Sequence, residues 1–130
     1  MIRNDVRLST IFVELSGHYS GPDMLVWAAA YRTITDSYEG KPHLVLADMR
    51  GLVSVDDDAR AVFTEALRYA RSRGVVCCAH LADGRPTRVL AARAAYEASH
   101  ELDDVTVDVE SMDEAERVLA VMRARIALPG

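Results

Sequence analysis

Four consecutive apolar residues, Leu44-Val45-Leu46-Ala47, run into Asp48, and a short way on the acid triplet Asp56-Asp57-Asp58 opens a stretch with helical apolar spacing. A run so short and so continuously apolar does not suit a surface element, and it predicts a buried strand of a parallel or mixed sheet. Asp48 then falls at the carboxyl end of that strand. Open α/β sheets place ligands at such ends, in a crevice lined by loops and helix N-termini. The acid triplet would lie beside it.

The pattern extends in both directions. Val6-Arg7-Leu8 and Ile11-Phe12-Val13-Glu14-Leu15 are β-rich and split by Ser9-Thr10, which predicts two short strands in a hairpin, the second ending at Gly17. Ser20-Gly21-Pro22-Asp23 is a helix start, since Pro suits the first turn and Asp opposes the positive end of the helix dipole. Met24, Trp27, Ala28, Tyr31, Ile34 and Tyr38 then recur on one face, and Gly40-Lys41-Pro42 stops the helix. Ala59, Val62, Phe63, Ala66, Leu67 and Ala70 make a second helical stripe that ends near Arg73-Gly74, and Val75 to Leu81 reads as the next buried strand. Pro86 opens a third helix to about His100, and Val105 to Val109 alternates as a half-buried edge strand. Ser111-Met112-Asp113-Glu114 is a capping box before a last helix with Ala115, Val118, Leu119, Met122 and Ile126 on one face. The order ββαβαβαβα predicts a single α/β domain over residues 1–130, a mixed sheet with helices packed on it.

Charge and cysteine usage narrow the function classes. The 130 residues carry a net charge of −5, with no basic cluster among aromatics, so the attraction that nucleic-acid binding needs is missing. No apolar run approaches the ~20 residues that span a bilayer, and Met1 to Asp5 holds no apolar signal core, which predicts a cytoplasmic protein without a transmembrane segment. Cys77 and Cys78 are adjacent in a strand-like run where side chains alternate sides, so they cannot readily pair and are expected as buried thiols.

Asp48 and Asp56, eight residues apart around a strand-to-helix turn, together with the element order, resemble the STAS domain of anti-sigma factor antagonists. The segment Leu46-Ala47-Asp48-Met49-Arg50-Gly51-Leu52 is similar to the strand-end segment of the SpoIIAA-like family, STAS relatives without the phosphorylation site. The resemblance covers nearly the whole chain and implies a STAS-like fold and a regulatory, protein-binding role. In the antagonists a second Asp is followed by two hydroxyl residues, Gly and Leu, and the second hydroxyl is phosphorylated. Asp56 matches that second Asp, whereas Asp57 and Asp58 replace the hydroxyl pair, Ala59 the Gly and Arg60 the Leu. Asp58 would place there a fixed negative charge, weaker than the roughly −1.5 to −2 of a phosphoserine.

Two sites compete on this reading. Ser54, Asp56, Asp57, Asp58 and Arg60 would form a surface read by a protein partner, the plain alternative being that the acids only stabilise a helix start capped by Ser54 or Asp56. Asp48, Arg50, Arg85, Thr87 and Arg88 would otherwise converge at the strand ends on a small anion, with or without catalysis. His18, His43, His80 and His100 show no i,i+3 or i,i+4 pair that would hold a metal, although His80 could serve as an acid or base with Asp48 or Asp83. Cys77-Cys78 reads as packing, and Trp27, Tyr31 and Tyr38 as core or dimer contact. The expectation is a non-catalytic regulatory module with a protein partner and neither cofactor nor metal; a homodimer is compatible with so small a module.

Overall fold

The computed structural model describes residues 1–82 and 106–127. Its elements are β1 (Ile2–Asp5), β2 (Thr10–Tyr19), α1 (Gly21–Asp36), β3 (His43–Val55), α2 (Asp57–Ser72), β4 (Val75–Leu81), β5 (Thr106–Val109) and α3 (Met112–Ala127). The strands form one mixed sheet in the order β1-β2-β3-β4-β5, with β1 antiparallel to β2 and each later neighbour parallel. The helix expected from Pro86 to His100 lies outside the described residues.

Strand parity divides the core into two layers. Ile11, Val13 and Leu15 of β2, Val45, Ala47 and Met49 of β3 and Cys78 of β4 turn to one face, where α1 brings Met24, Trp27 and Tyr31 and α2 brings Phe63 and Ala66. Leu44, Leu46, Cys77, Ala79, Leu81 and Val109 turn to the other, under Ala115 and Leu119 of α3. A strand buried on both faces can be apolar at every position, which explains the unbroken Leu44–Ala47 run. The adjacent cysteines fall on opposite faces, both free and buried, and burial pushes both thiols above their ordinary pKa.

Helix starts follow local chemistry. Ser20 caps α1 by accepting from the Asp23 amide at 3.2 Å, and the Asp23 carboxylate accepts from the Ser20 amide at 3.2 Å. Ser111 caps α3 by accepting from the Glu114 amide, but the Glu114 carboxylate reaches back one residue further than a capping box requires, to the Glu110 amide. Arg123 of α3 donates from Nε to the Leu8 carbonyl at 3.0 Å and from Nη2 to Thr10 Oγ1 at 3.3 Å, fastening the helix to the first turn of the chain.

Two expectations shift. Val6-Arg7-Leu8 is the hairpin turn rather than a strand, because the Asp5 carboxylate accepts from the Leu8 amide and Ser9 takes a positive φ of 48°; the strand lies earlier, with Ile2 opposite Val13. β2 also continues past Gly17 to Tyr19, held by β3.

The α1–β3 and α2–β4 turns lie against each other. His43 is fully buried, donates from Nδ1 to the Lys41 carbonyl at 2.8 Å and accepts at Nε2 from the Thr35 hydroxyl at 2.5 Å. Its ring stacks on Tyr38 with centroids 4.1 Å apart, and burial lowers its pKa below 6.5. Gly74 has φ of 110°, and a Cβ there would lie 2.5 Å from the Lys41 carbonyl oxygen.

Candidate functional site

β3 does not end at Asp48 as the apolar run suggested. Backbone pairing with β2 carries it on to Val55, so Asp48 lies within the strand, paired with Glu14 on one side and level with Leu81, the last residue of β4, on the other. Two register shifts each add one residue to β3 relative to β2, between Glu14 and Ser16 and between Gly17 and His18. In unbroken register His18 would face Leu52. The extra residues bring Ser54 opposite His18 instead, a re-aiming for which bulges are well suited.

The result is a hydrogen-bonded array at the carboxyl ends of β2 and β3. Ser54 Oγ lies 2.5 Å from His18 Nδ1, and His18 Nε2 lies 3.3 Å from Asp56 Oδ1. The neutral tautomer that satisfies both contacts carries its proton on Nε2, so the serine hydroxyl donates to Nδ1 and the ring donates to the carboxylate. Asp56 is held by the bond from its own amide to the Tyr19 carbonyl at 3.0 Å. Its carboxylate faces His18 rather than the helix, and although Asp56 occupies the N-cap of α2 it makes no side-chain cap bond.

Of the acid triplet, Asp57 and Asp58 stand in the first turn of α2. The Asp57 side chain is 90% exposed and pairs with Arg60. Asp58 sits where the two helix starts approach, its Cβ 3.1 Å from the place a Cβ on Gly21 would take. Ser54, Asp56, Asp57, Asp58 and Arg60 are therefore near neighbours at one exposed sheet edge.

Of the competing set, Asp48 and Arg50 fall among the described residues. Arg50 is held by Asp48 in a fork, Nε to Oδ1 at 3.0 Å and Nη2 to Oδ2 at 2.8 Å, with the Arg50 amide also donating to Oδ1. The guanidinium holds the Asp48 carboxyl below its ordinary pKa. Arg85, Thr87 and Arg88 lie outside the described residues, as does Asp83. His80, nearly fully buried, aligns with Ala47 and lies near Phe63 on the α1–α2 face, whereas Asp48, one residue further along β3, takes the alternate parity. His80 and Asp48 are thus not paired as acid and base.

Two grooves flank α1. One of about 710 Å³ runs between α1 and the β1–β2 side, lined by Ser16, His18, Tyr19, Val26, Trp27 and Ile34 among others. Trp27 is core as expected, stacked on Tyr31 at 5.0 Å, with one edge reaching this groove. The second, about 510 Å³, lies between α1 and α2, with Leu25, Ala29, Arg32, Val62 and Glu65 in its walls.

The pairing of His18 with Ser54 and Asp56 was not visible as a motif. These residues are 36 and 38 positions apart, and the usable signal would have been strand pairing between Ser16-Gly17-His18-Tyr19 and Val53-Ser54-Val55, obscured by the two extra residues of β3.

Fold and edge together define an α/β protein on a mixed five-stranded sheet, with α1 and α2 on one face and α3 on the other. No protein-family model matches the chain, and no curated protein gives a significant match. Among solved structures, the NMR structure of the protein TM1081 is similar, with a TM-score of 0.59 at 12% identity over 92% of this chain and 86% of that one. At that identity the likeness speaks for the fold alone. No helix among the described residues is long and apolar enough to cross a membrane.

Proposed function

We propose that this chain is a regulatory protein-interaction module of the STAS type, closest in kind to the SpoIIAA-like relatives, and that its partner reads the edge formed by Ser54, Asp56, Asp57, Asp58 and Arg60. The observation that carries the reading is the exposure of the acids at the start of α2, with the Asp57 side chain 90% accessible in its first turn. Fixed carboxylates on a preformed surface favour a partner that presents basic side chains, and they steer its approach. Asp57 and Asp58 stand where the antagonists carry their hydroxyl pair, so the output of this edge is binding without a phosphorylation cycle. The engagement of Arg50 by Asp48 weighs against the small-anion alternative.

Affinity capture from native extract tests the reading, with the wild type beside a D56N/D57N/D58N variant and with thermal melts to show that both are folded. A protein retained by the wild type and lost with the triple change supports it. Equal retention by both places the partner surface elsewhere and refutes it.

A further inference from the structure

The same edge holds a second kind of chemistry, which does not depend on the partner reading. We propose that Ser54 is a nucleophile, with His18 as its general base and Asp56 as the group that orients the ring, and that it transfers acyl groups from neutral esters. The geometry meets the requirements of an activated hydroxyl: nucleophile to base at 2.5 Å and base to carboxylate at 3.3 Å, on opposite ring nitrogens. The array is assembled by two insertions in β3, without which His18 would face Leu52. Its members come from two parallel strands and a helix cap, so the backbone fixes their spacing.

The groove beside His18 supplies a place for the acyl chain. Val26, Trp27 and Ile34 give it apolar walls, and its volume of about 710 Å³ is ample for a short aliphatic chain. Charge sets the substrate class. Asp23 shares the groove and Asp56 stands on the far side of the His18 ring, so an ester bearing a carboxylate is repelled and a neutral one is admitted. The developing oxyanion is assigned to the first-turn amides of α2, to which Asp56 offers no side-chain cap.

The step balances with water as the second reactant. The Ser54 oxygen bonds to the ester carbonyl carbon as its proton passes to His18 Nδ1, and the tetrahedral adduct collapses by breaking the bond to the alkoxy oxygen. His18 returns that proton to the departing alcohol. Water, deprotonated by the same nitrogen, then attacks the acyl-serine and releases the acid, restoring the Ser54 hydroxyl.

Two measurements test the proposal on the full chain. Hydrolysis of p-nitrophenyl butyrate is compared in wild type, S54A, H18Q and V26E, all checked for native Trp27 fluorescence. A fluorophosphonate probe is then mapped by peptide mass spectrometry. The expected result is a rate about a hundredfold lower in H18Q, the scale of general-base assistance, and loss of the acyl-serine route in S54A. The probe adduct should fall on the peptide containing Ser54, and butyrate hydrolysis should weaken more than acetate hydrolysis in V26E, which places a charge in the groove wall. A rate in S54A equal to the wild type, or a probe adduct absent from Ser54 in the folded protein, overturns it. D57N/D58N, which retains all three members of the array, should keep the Ser54 adduct even where partner capture is lost.

Discussion

Replacing Gly74 by alanine should be the most damaging single-methyl change in the described structure. Two effects combine there. A φ of 110° lies in the region that L-residues avoid, a strain of about 1–3 kcal/mol. The new Cβ would also lie 2.5 Å from the Lys41 carbonyl oxygen, 2.9 Å from the Gly40 oxygen and 3.1 Å from the Gly40 carbonyl carbon. These are backbone atoms, which no rotamer change can move aside, so relief requires shifting the turn that buries His43; such overpacking costs typically ~1–3 kcal/mol. The narrower unfolded ensemble of alanine returns only about 0.4–1 kcal/mol. A net loss of about 1–6 kcal/mol follows. Gly40→Ala is the control, since its φ of 82° carries the strain but nothing lies within 4 Å of its Cβ position. Thermal unfolding followed by Trp27 fluorescence measures both, each kcal/mol moving Tm by roughly 3–5 °C in a chain this size. If G74A and G40A lose equal stability, the carbonyl contact contributes nothing and the reasoning fails.

Acid should weaken the fold through His43, because burial holds its folded pKa below the ordinary 6.5. The unfolded chain takes up a proton there that the folded chain refuses, so this contribution is present above pH 6.5 and is lost as pH falls toward the folded value. Urea midpoints at pH 7.5 and 5.5 should differ less in His43→Gln than in the wild type. Ser111→Ala removes the acceptor for the Glu114 amide and should cost ~1 kcal/mol by urea titration. Asp57→Asn with Asp58→Asn removes charge from the positive end of α2 and should destabilise by ~0.3–1 kcal/mol per acid at low salt, a difference that 0.5 M salt should shrink. Trp27 is the sole tryptophan and only 7% exposed, so emission should be blue-shifted in the folded protein and move to the red in a single transition on unfolding.

What the sequence makes legible is the part of the fold that burial dictates. Val75 to Leu81 reads as a strand with the bounds it has, and the Ala59–Ala70 stripe finds α2, because continuous and 3.6-residue apolar patterns survive any tertiary context. The second half of β3 is hidden for the opposite reason. Arg50, Gly51 and Ser54 have the composition of a turn, and only pairing with β2 makes them strand; Gly51 is needed because a Cβ there would come within 2.9 Å of Ser16 Cβ. The candidate site inherits that blindness. Asp56, Asp57, Asp58 and Arg60 are contiguous and recognisable as a helix start, whereas His18 joins them through a register that two extra residues reset. Asp48 and Arg50 are legible as charged neighbours, but their mutual fork is not.

The clasp of Arg123 on Leu8 and Thr10 bears on the order in which the molecule is built. Sheet neighbours succeed one another along the chain, so each new strand docks on the strand just made, and growth from β1 toward β5 can keep pace with synthesis. The Arg123 bonds join residues 115 and 113 positions apart and can form only when α3 has emerged. Until then the β2–β4 face bearing Leu44, Leu46, Cys77 and Ala79 waits without its α3 cover. Among the described residues, a nascent chain halted before α3 therefore leaves an apolar sheet surface open to chaperones or to its own kind, and the cover arrives as α3 is latched to the first turn.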